Sequence, residues 1–190
     1  RLPASGAAAR HATATNPPMP AAAAARRPTA AIRSLTSRCA EDPAAPATEA
    51  PEGKLVGRCS CGDVRLVLDA DATPSHAPAY CHCNTCRAFH GSAFAMEAGF
   101  KLDRCEISGL TTRHETSPGF ERLRCATCGT PCGGIHKKLG VIFAPAALFA
   151  APGRAPPTPF RPTMHLFYSR RIVGDAFDGD GLAKHDELPP

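Results

Sequence analysis

Three thiols lie within six residues at Cys81-His82-Cys83-Asn84-Thr85-Cys86. Thiolates are soft ligands, and so dense a cluster selects zinc over magnesium or calcium. Structural zinc sites are usually closed by four protein ligands, whereas catalytic sites keep three and leave one position open. Three cysteines with no fourth in the run therefore point to an open site. His90, four residues beyond Cys86, supplies the rival arrangement, a closed site of three cysteines and one histidine. Spacing favours the open site, because closed sets usually pair two knuckles from separate stretches.

Two cysteine pairs flank this run. Cys59-Ser60-Cys61-Gly62 precedes it and Cys125-Ala126-Thr127-Cys128-Gly129 follows. Together they supply the four thiolates of a closed tetrahedral site. Glycine after the second cysteine lets the backbone turn tightly and brings amide N–H groups to the sulfurs. The pairs are over 60 residues apart. A metal held between them ties the ends of the folded core together, and binding free energy on the order of 10 kcal/mol feeds into folding.

An open three-thiolate site can take up an exogenous thiol and hold it deprotonated for attack on an electrophilic carbon. His82, between two ligands, has an unperturbed pKa near neutrality and suits proton transfer; its other reading is a spacer bonded to backbone. Arg87, beside the last ligand, is the nearest local cation for an anionic thiol; its other reading is an ordinary exposed arginine. Phe89 and Phe94 are assigned to the core. Cys39, Cys105 and Cys132 fall outside the clusters and read as buried or idle thiols.

These motifs resemble those of the glutathione-dependent formaldehyde-activating enzymes, whose relatives include the centromere-protein-V-like domains. The resemblance is carried by Gly57–Gly62, by Cys81–Arg87 and by Cys125–Gly129. It extends to His165-Leu166-Phe167-Tyr168 and Asp180-Gly181-Leu182, and covers residues 53–190. It implies a mostly β, compact, zinc-stabilised Mss4-like fold of short antiparallel strands. It implies two zinc ions: a structural one on Cys59, Cys61, Cys125 and Cys128, and a catalytic one on Cys81, Cys83 and Cys86. The implied activity is that of a carbon–sulfur lyase, forming or breaking thiol adducts such as S-hydroxymethylglutathione from glutathione and formaldehyde. Two departures bear on the substrate pocket and on no ligand: Arg124 stands where the family has an aromatic or a histidine, and the chain has no tryptophan. The alternative function is a non-catalytic zinc-stabilised binding module, which closure by His90 would favour.

The elements that must position these residues are short. Lys54 to Val56 reads as an entering strand, and Val64, Leu66 and Leu68 mark a strand of period two. Thr73 to Pro78 reads as a Pro-broken loop, Ala93 to Met96 as a strand, and residues 99–124 as strands and turns. Val141 to Ala144 suits a buried strand and Pro145 to Leu148 a helical turn. Pro152 to Pro162, with five prolines, is expected to be an extended loop. Thr163 to Tyr168 then forms the last strand, and Asp175 to Pro190 a polar tail. No long helical pattern and no repeat is present.

Length allows one domain, residues 53–190, and a leader, residues 1–50. The net charge of +5 is uneven. Residues 1–40 carry six arginines and no acid, which leaves 16 basic and 17 acidic residues in the rest. The near-neutral domain is not expected to bind nucleic acid, which requires clustered Lys and Arg. No run of 18 apolar residues marks a membrane span. The leader is rich in Ala, Pro, Arg, Ser and Thr and too poor in large apolar residues to build a core, so it is expected to be disordered. That composition predicts an organellar transit peptide, with chloroplast preferred and mitochondrion or cytoplasm as alternatives. Since Arg1 stands in place of an initiator methionine, the true start is expected upstream. Seven of ten cysteines in metal-ligand spacings, with no secretory segment, predict a reducing compartment rather than a disulfide scaffold. Oligomeric state is not legible.

Overall fold

The alternation at Leu66 and Leu68 becomes a strand with both leucines buried and their neighbours partly exposed. In the computed structural model, residues 50–151 and 153–189 are described; the leader with its expected transit peptide, and Cys39 within it, lie outside them. The strands are β1 (Lys54–Arg58), β2 (Arg65–Asp69), β3 (His76–Cys81), β4 (Ala95–Lys101), β5 (Cys105–Ser108), β6 (Thr111–Ser117), β7 (Phe120–Cys125), β8 (Pro131–His136), β9 (Val141–Pro145), β10 (Met164–Leu166) and β11 (Ala183–His185). Helix α1 (Asn84–His90) follows β3.

The fold is mostly β, as the sequence predicts. A three-stranded antiparallel sheet runs β1-β2-β5. An eight-stranded sheet runs β11-β10-β3-β4-β9-β8-β7-β6. Its pairings are antiparallel except that β10 lies parallel to both β3 and β11. The core gathers Leu66, Leu68, Phe100, Leu123 and Ile142 from the two sheets and Phe160 from the proline-rich loop. β4 is central and buried along most of its length. The edge strand β6, Thr-Thr-Arg-His-Glu-Thr-Ser, is polar and exposed, which discourages pairing with another chain.

Several boundaries differ from the sequence reading. The loop expected over Thr73–Pro78 is shorter, because β3 starts at His76 and absorbs Pro78 through a register shift between His76 and Ala79. The strand expected at Ala93–Met96 begins later, at Ala95, and continues to Lys101. The proline-rich loop contains a 3-10 turn, Thr158–Phe160, that drives Phe160 fully into the core against Phe149 and Phe100. Thr163–Tyr168 is not the last strand: only Met164–Leu166 is extended, and β11 follows inside the stretch expected to be a polar tail. No described helix is long and apolar enough to cross a membrane, which says nothing of a barrel.

Candidate metal centres and the adjoining groove

The two flanking cysteine pairs meet at one point. The sulfurs of Cys59, Cys61, Cys125 and Cys128 all lie within 4.8 Å of one another. Four thiolates at ~2.3 Å from one tetrahedral zinc lie roughly 3.8 Å apart; the observed Cys59–Cys61 and Cys61–Cys125 separations are 3.5 and 3.7 Å. The donor set thus fits a closed zinc site. Gly62 and Gly129 both take positive φ, 84° and 74°. Each returns its N–H at 2.9 Å to the carbonyl of the first cysteine of its pair, Cys59 or Cys125. The Val64 N–H donates to Cys59 Sγ at 3.2 Å. Thr130 joins the two knuckles, accepting the Ser60 N–H at 3.2 Å and sharing a 2.9 Å hydroxyl contact with Ser60.

The central thiols also converge. Cys81 ends β3, Cys83 caps α1 and Cys86 lies in its first turn, with all three sulfurs within 4.8 Å. Cys83 is extended (φ −64°, ψ 152°), and its Sγ accepts the Cys86 N–H at 3.3 Å, as an N-cap side chain does. The helix closes at Gly91, left-handed at φ 61°. Hydrogen bonds from the Cys81 and Cys86 thiols hold Cys83 as a thiolate, far below the usual thiol range, and the same bonds push Cys81 and Cys86 up. Such crowding suits a shared cation.

His90 does not join this cluster. Its Nε2 lies 3.0 Å from Glu97 Oε1. Glu97, on β4, also accepts from Arg122 Nη1 at 3.4 Å. Arg122, on β7 and only 6% exposed, directs Nη2 at Cys86 Sγ, 3.1 Å away. The sequence reading missed the buried pair of Glu97 and Arg122, because no local pattern links a β4 acid to a β7 arginine.

The expected catalytic pair takes bracing positions. Arg87 Nε donates to the His82 carbonyl at 3.1 Å, and Nη2 to Asn84 Oδ1 at 2.6 Å. His82 is fully buried. Its partner is a side chain rather than the backbone: Nε2 lies 2.9 Å from His165 Nδ1, and His165 Nε2 lies 2.7 Å from Asp180 Oδ2. Burial, then the neighbouring His165, Arg171 and Arg87, lower His82 to about 4, so it is neutral at neutral pH. Tyr80, Phe94, Phe177 and Tyr168 surround the two rings. Phe94 is therefore a packing residue, as expected.

Phe89 departs from the core assignment. It lines a groove of about 700 Å³ between α1 and β6–β7, bounded also by Asn84, Thr112, Arg113, Arg122 and Arg124. Arg122 and Arg124 both stack on the Phe89 ring, at 5.1 and 4.5 Å. Arg124 is further tied to the carbonyls of Phe89 and Gly129. Because Arg122 touches both the groove and Cys86, the groove comes within one side chain of the triad. Cys105 and Cys132 are buried, as expected.

Fold and site together define a β domain with two cysteine centres, one able to close on four thiolates and one offering three. The chain belongs to the glutathione-dependent formaldehyde-activating enzyme family, whose model matches residues 54–170, more than half of its length. A solved structure of a Rhodobacter sphaeroides protein, a structural genomics target, matches with a TM-score of 0.41 at 20% identity, covering 54% of this chain and 92% of that one. No curated protein matches the chain.

Proposed function

We propose that this chain is a zinc-dependent enzyme of the carbon–sulfur lyase type that joins glutathione, or another small anionic thiol, to formaldehyde. Family membership supports the substrate class. The observation that carries the reading is the triad itself: three sulfurs converge, and His90 is engaged by Glu97 instead. Zinc held by Cys81, Cys83 and Cys86 would supply a fixed positive charge that keeps an incoming thiol ionised. The thiolate sulfur then adds to the formaldehyde carbon, the C=O π pair moves to oxygen, and oxygen takes a proton to give the S-hydroxymethyl adduct. We assign Arg87 and His82 to holding the knuckle in shape. Arg113, on the groove wall and only loosely paired with Glu121 at 3.4 Å, is the cation best placed for a carboxylate of the thiol. The four-cysteine centre is assigned a structural zinc. For the leader, outside the described residues, we retain the proposal of a chloroplast transit peptide.

Elemental analysis of the reduced protein should give two zinc ions per chain, and His90→Ala should leave that number unchanged. Glutathione added to cobalt-substituted protein should change the sulfur-to-metal absorption as a further sulfur arrives, and Arg113→Ala should weaken the response. If His90→Ala strips one metal and glutathione leaves the spectrum untouched, the central site is closed. The chain is then a zinc-stabilised binding module.

A further inference from the structure

An electrophile reaching the triad would meet several sulfurs, not one. On the reading above, an incoming thiolate sits beside Cys81, Cys83 and Cys86, and all four sulfurs are nucleophiles. Addition at a protein sulfur would convert a ligand thiolate into a thioether-like group and weaken the centre. Two of the three protein sulfurs accept an N–H: Cys83 accepts the Cys86 backbone N–H at 3.3 Å, and Cys86 accepts from the Arg122 guanidinium at 3.1 Å. A hydrogen bond to a thiolate engages the lone pair that would attack, most strongly where the donor is charged.

Arg122 is the side-chain member of this set and is held rigidly. Glu97 Oε1 accepts its Nη1, and the rings of Phe120 and Phe89 cover its plane at 4.6 and 5.1 Å. Phe120 in turn lies across Gly134, where an added Cβ would stand 2.4 Å from the Phe120 ring. The guanidinium is thus held against Cys86 by two ring contacts and by the Glu97 carboxylate.

We propose that Arg122 is a guard for Cys86: its hydrogen bond blunts that sulfur, so that aldehydes and other carbon electrophiles react at the incoming thiolate and the ligand survives. Arg122 is on this account a positioning and protecting residue, not one that touches substrate.

The test reads alkylation rather than turnover. Full-length, metal-loaded protein is treated with iodoacetamide, which forms a C–S bond as iodide leaves, and each cysteine is followed by peptide mass spectrometry. Arg122→Met keeps most of the volume and removes the donors. The double variant Glu97→Gln/Arg122→Met also removes the acid that would be left buried without its cation, so it decides the question if the single variant does not fold. In the folded variant Cys86 should be modified about tenfold faster than in the wild type, with metal released in step and Cys59 and Cys125 unchanged. Arg122→Lys, which retains a charged donor, should restore part of the protection. An unchanged Cys86 rate in the folded double variant overturns the proposal. So does an equal rise at Cys81, Cys83 and Cys86, which would report general loosening. A protein that fails to respond to glutathione yet keeps Cys86 guarded sinks the enzyme reading and leaves this one standing.

Discussion

Cys59→Ser or Cys128→Ser is expected to unfold the domain, whereas Cys83→Ser is expected to leave it folded with one metal fewer. The asymmetry comes from what each centre joins. The four-cysteine centre clamps the turn after β1 to the turn after β7, two segments whose cysteines are 64 residues apart. Metal binding at such a clamp is worth ~10 kcal/mol or more and is folding free energy, against a net stability of about 5–15 kcal/mol for a typical domain. Weakening the clamp therefore removes a large share of the whole. The central triad is different: its three ligands come from one short stretch, Cys81 to Cys86, that β3, β4 and α1 already shape by their own hydrogen bonds. Serine at position 83 also preserves the helix cap, since its hydroxyl accepts the same backbone N–H. Circular dichroism, melting curves and elemental analysis of the three variants decide the matter. If all three melt alike, the division into a structural and a reactive centre is wrong.

How far the sequence could be read follows from where its information is local. The cysteine spacings are local, and both clusters were legible before any strand was placed. The alternation Val64-Leu66-Leu68 is local too, and it marked β2, which begins one residue later at Arg65. Helix α1 was not legible, because seven residues with Cys86 as their one buried position leave no room for an apolar period of 3.6. Contacts between distant strands were invisible for another reason. Arg122 lies 36 residues from Cys86 and 25 from Glu97, and nothing at either end announces the partner. The C-terminal stretch reads as a polar tail because nothing local shows which of its hydrophilic residues has a distant partner. Asp180 and Phe177 in fact close over two buried histidines. The family resemblance named the stretches that hold His165 and Asp180 without pairing the two residues and with no physical reason attached.

That reason leads to the second large effect. His165→Ala should lower stability by about 3–5 kcal/mol. The ring is fully buried between His82, Tyr80, Tyr168 and Phe177. Its loss leaves a cavity and strands the His82 Nε2 that it now contacts at 2.9 Å. The damage should also reach the triad. β10 lies parallel to β3 with Leu166 opposite Cys81, and the Leu166 carbonyl accepts the His82 N–H at 2.9 Å. His165 thus bolts on the strand that steadies the first two ligands, so the variant should lose metal from the central centre faster than the wild type while the four-cysteine centre holds. Asp180→Asn, at the outer end of the chain of contacts, should cost less, because Asp180 is partly exposed. It should also change the acid limb. Hydrogen bonds from Lys184, then from His165, hold the Asp180 carboxyl well below the usual carboxylate range. A depressed carboxylate stabilises the fold above its unfolded pKa, and that contribution fades as the pH falls through the folded value. The wild type should therefore lose stability on acidification below about pH 4, and Asp180→Asn should flatten that slope. A His165→Ala variant that melts within about 1 kcal/mol of wild type, with unchanged metal release, would show that the C-terminal segment merely rests on the sheet.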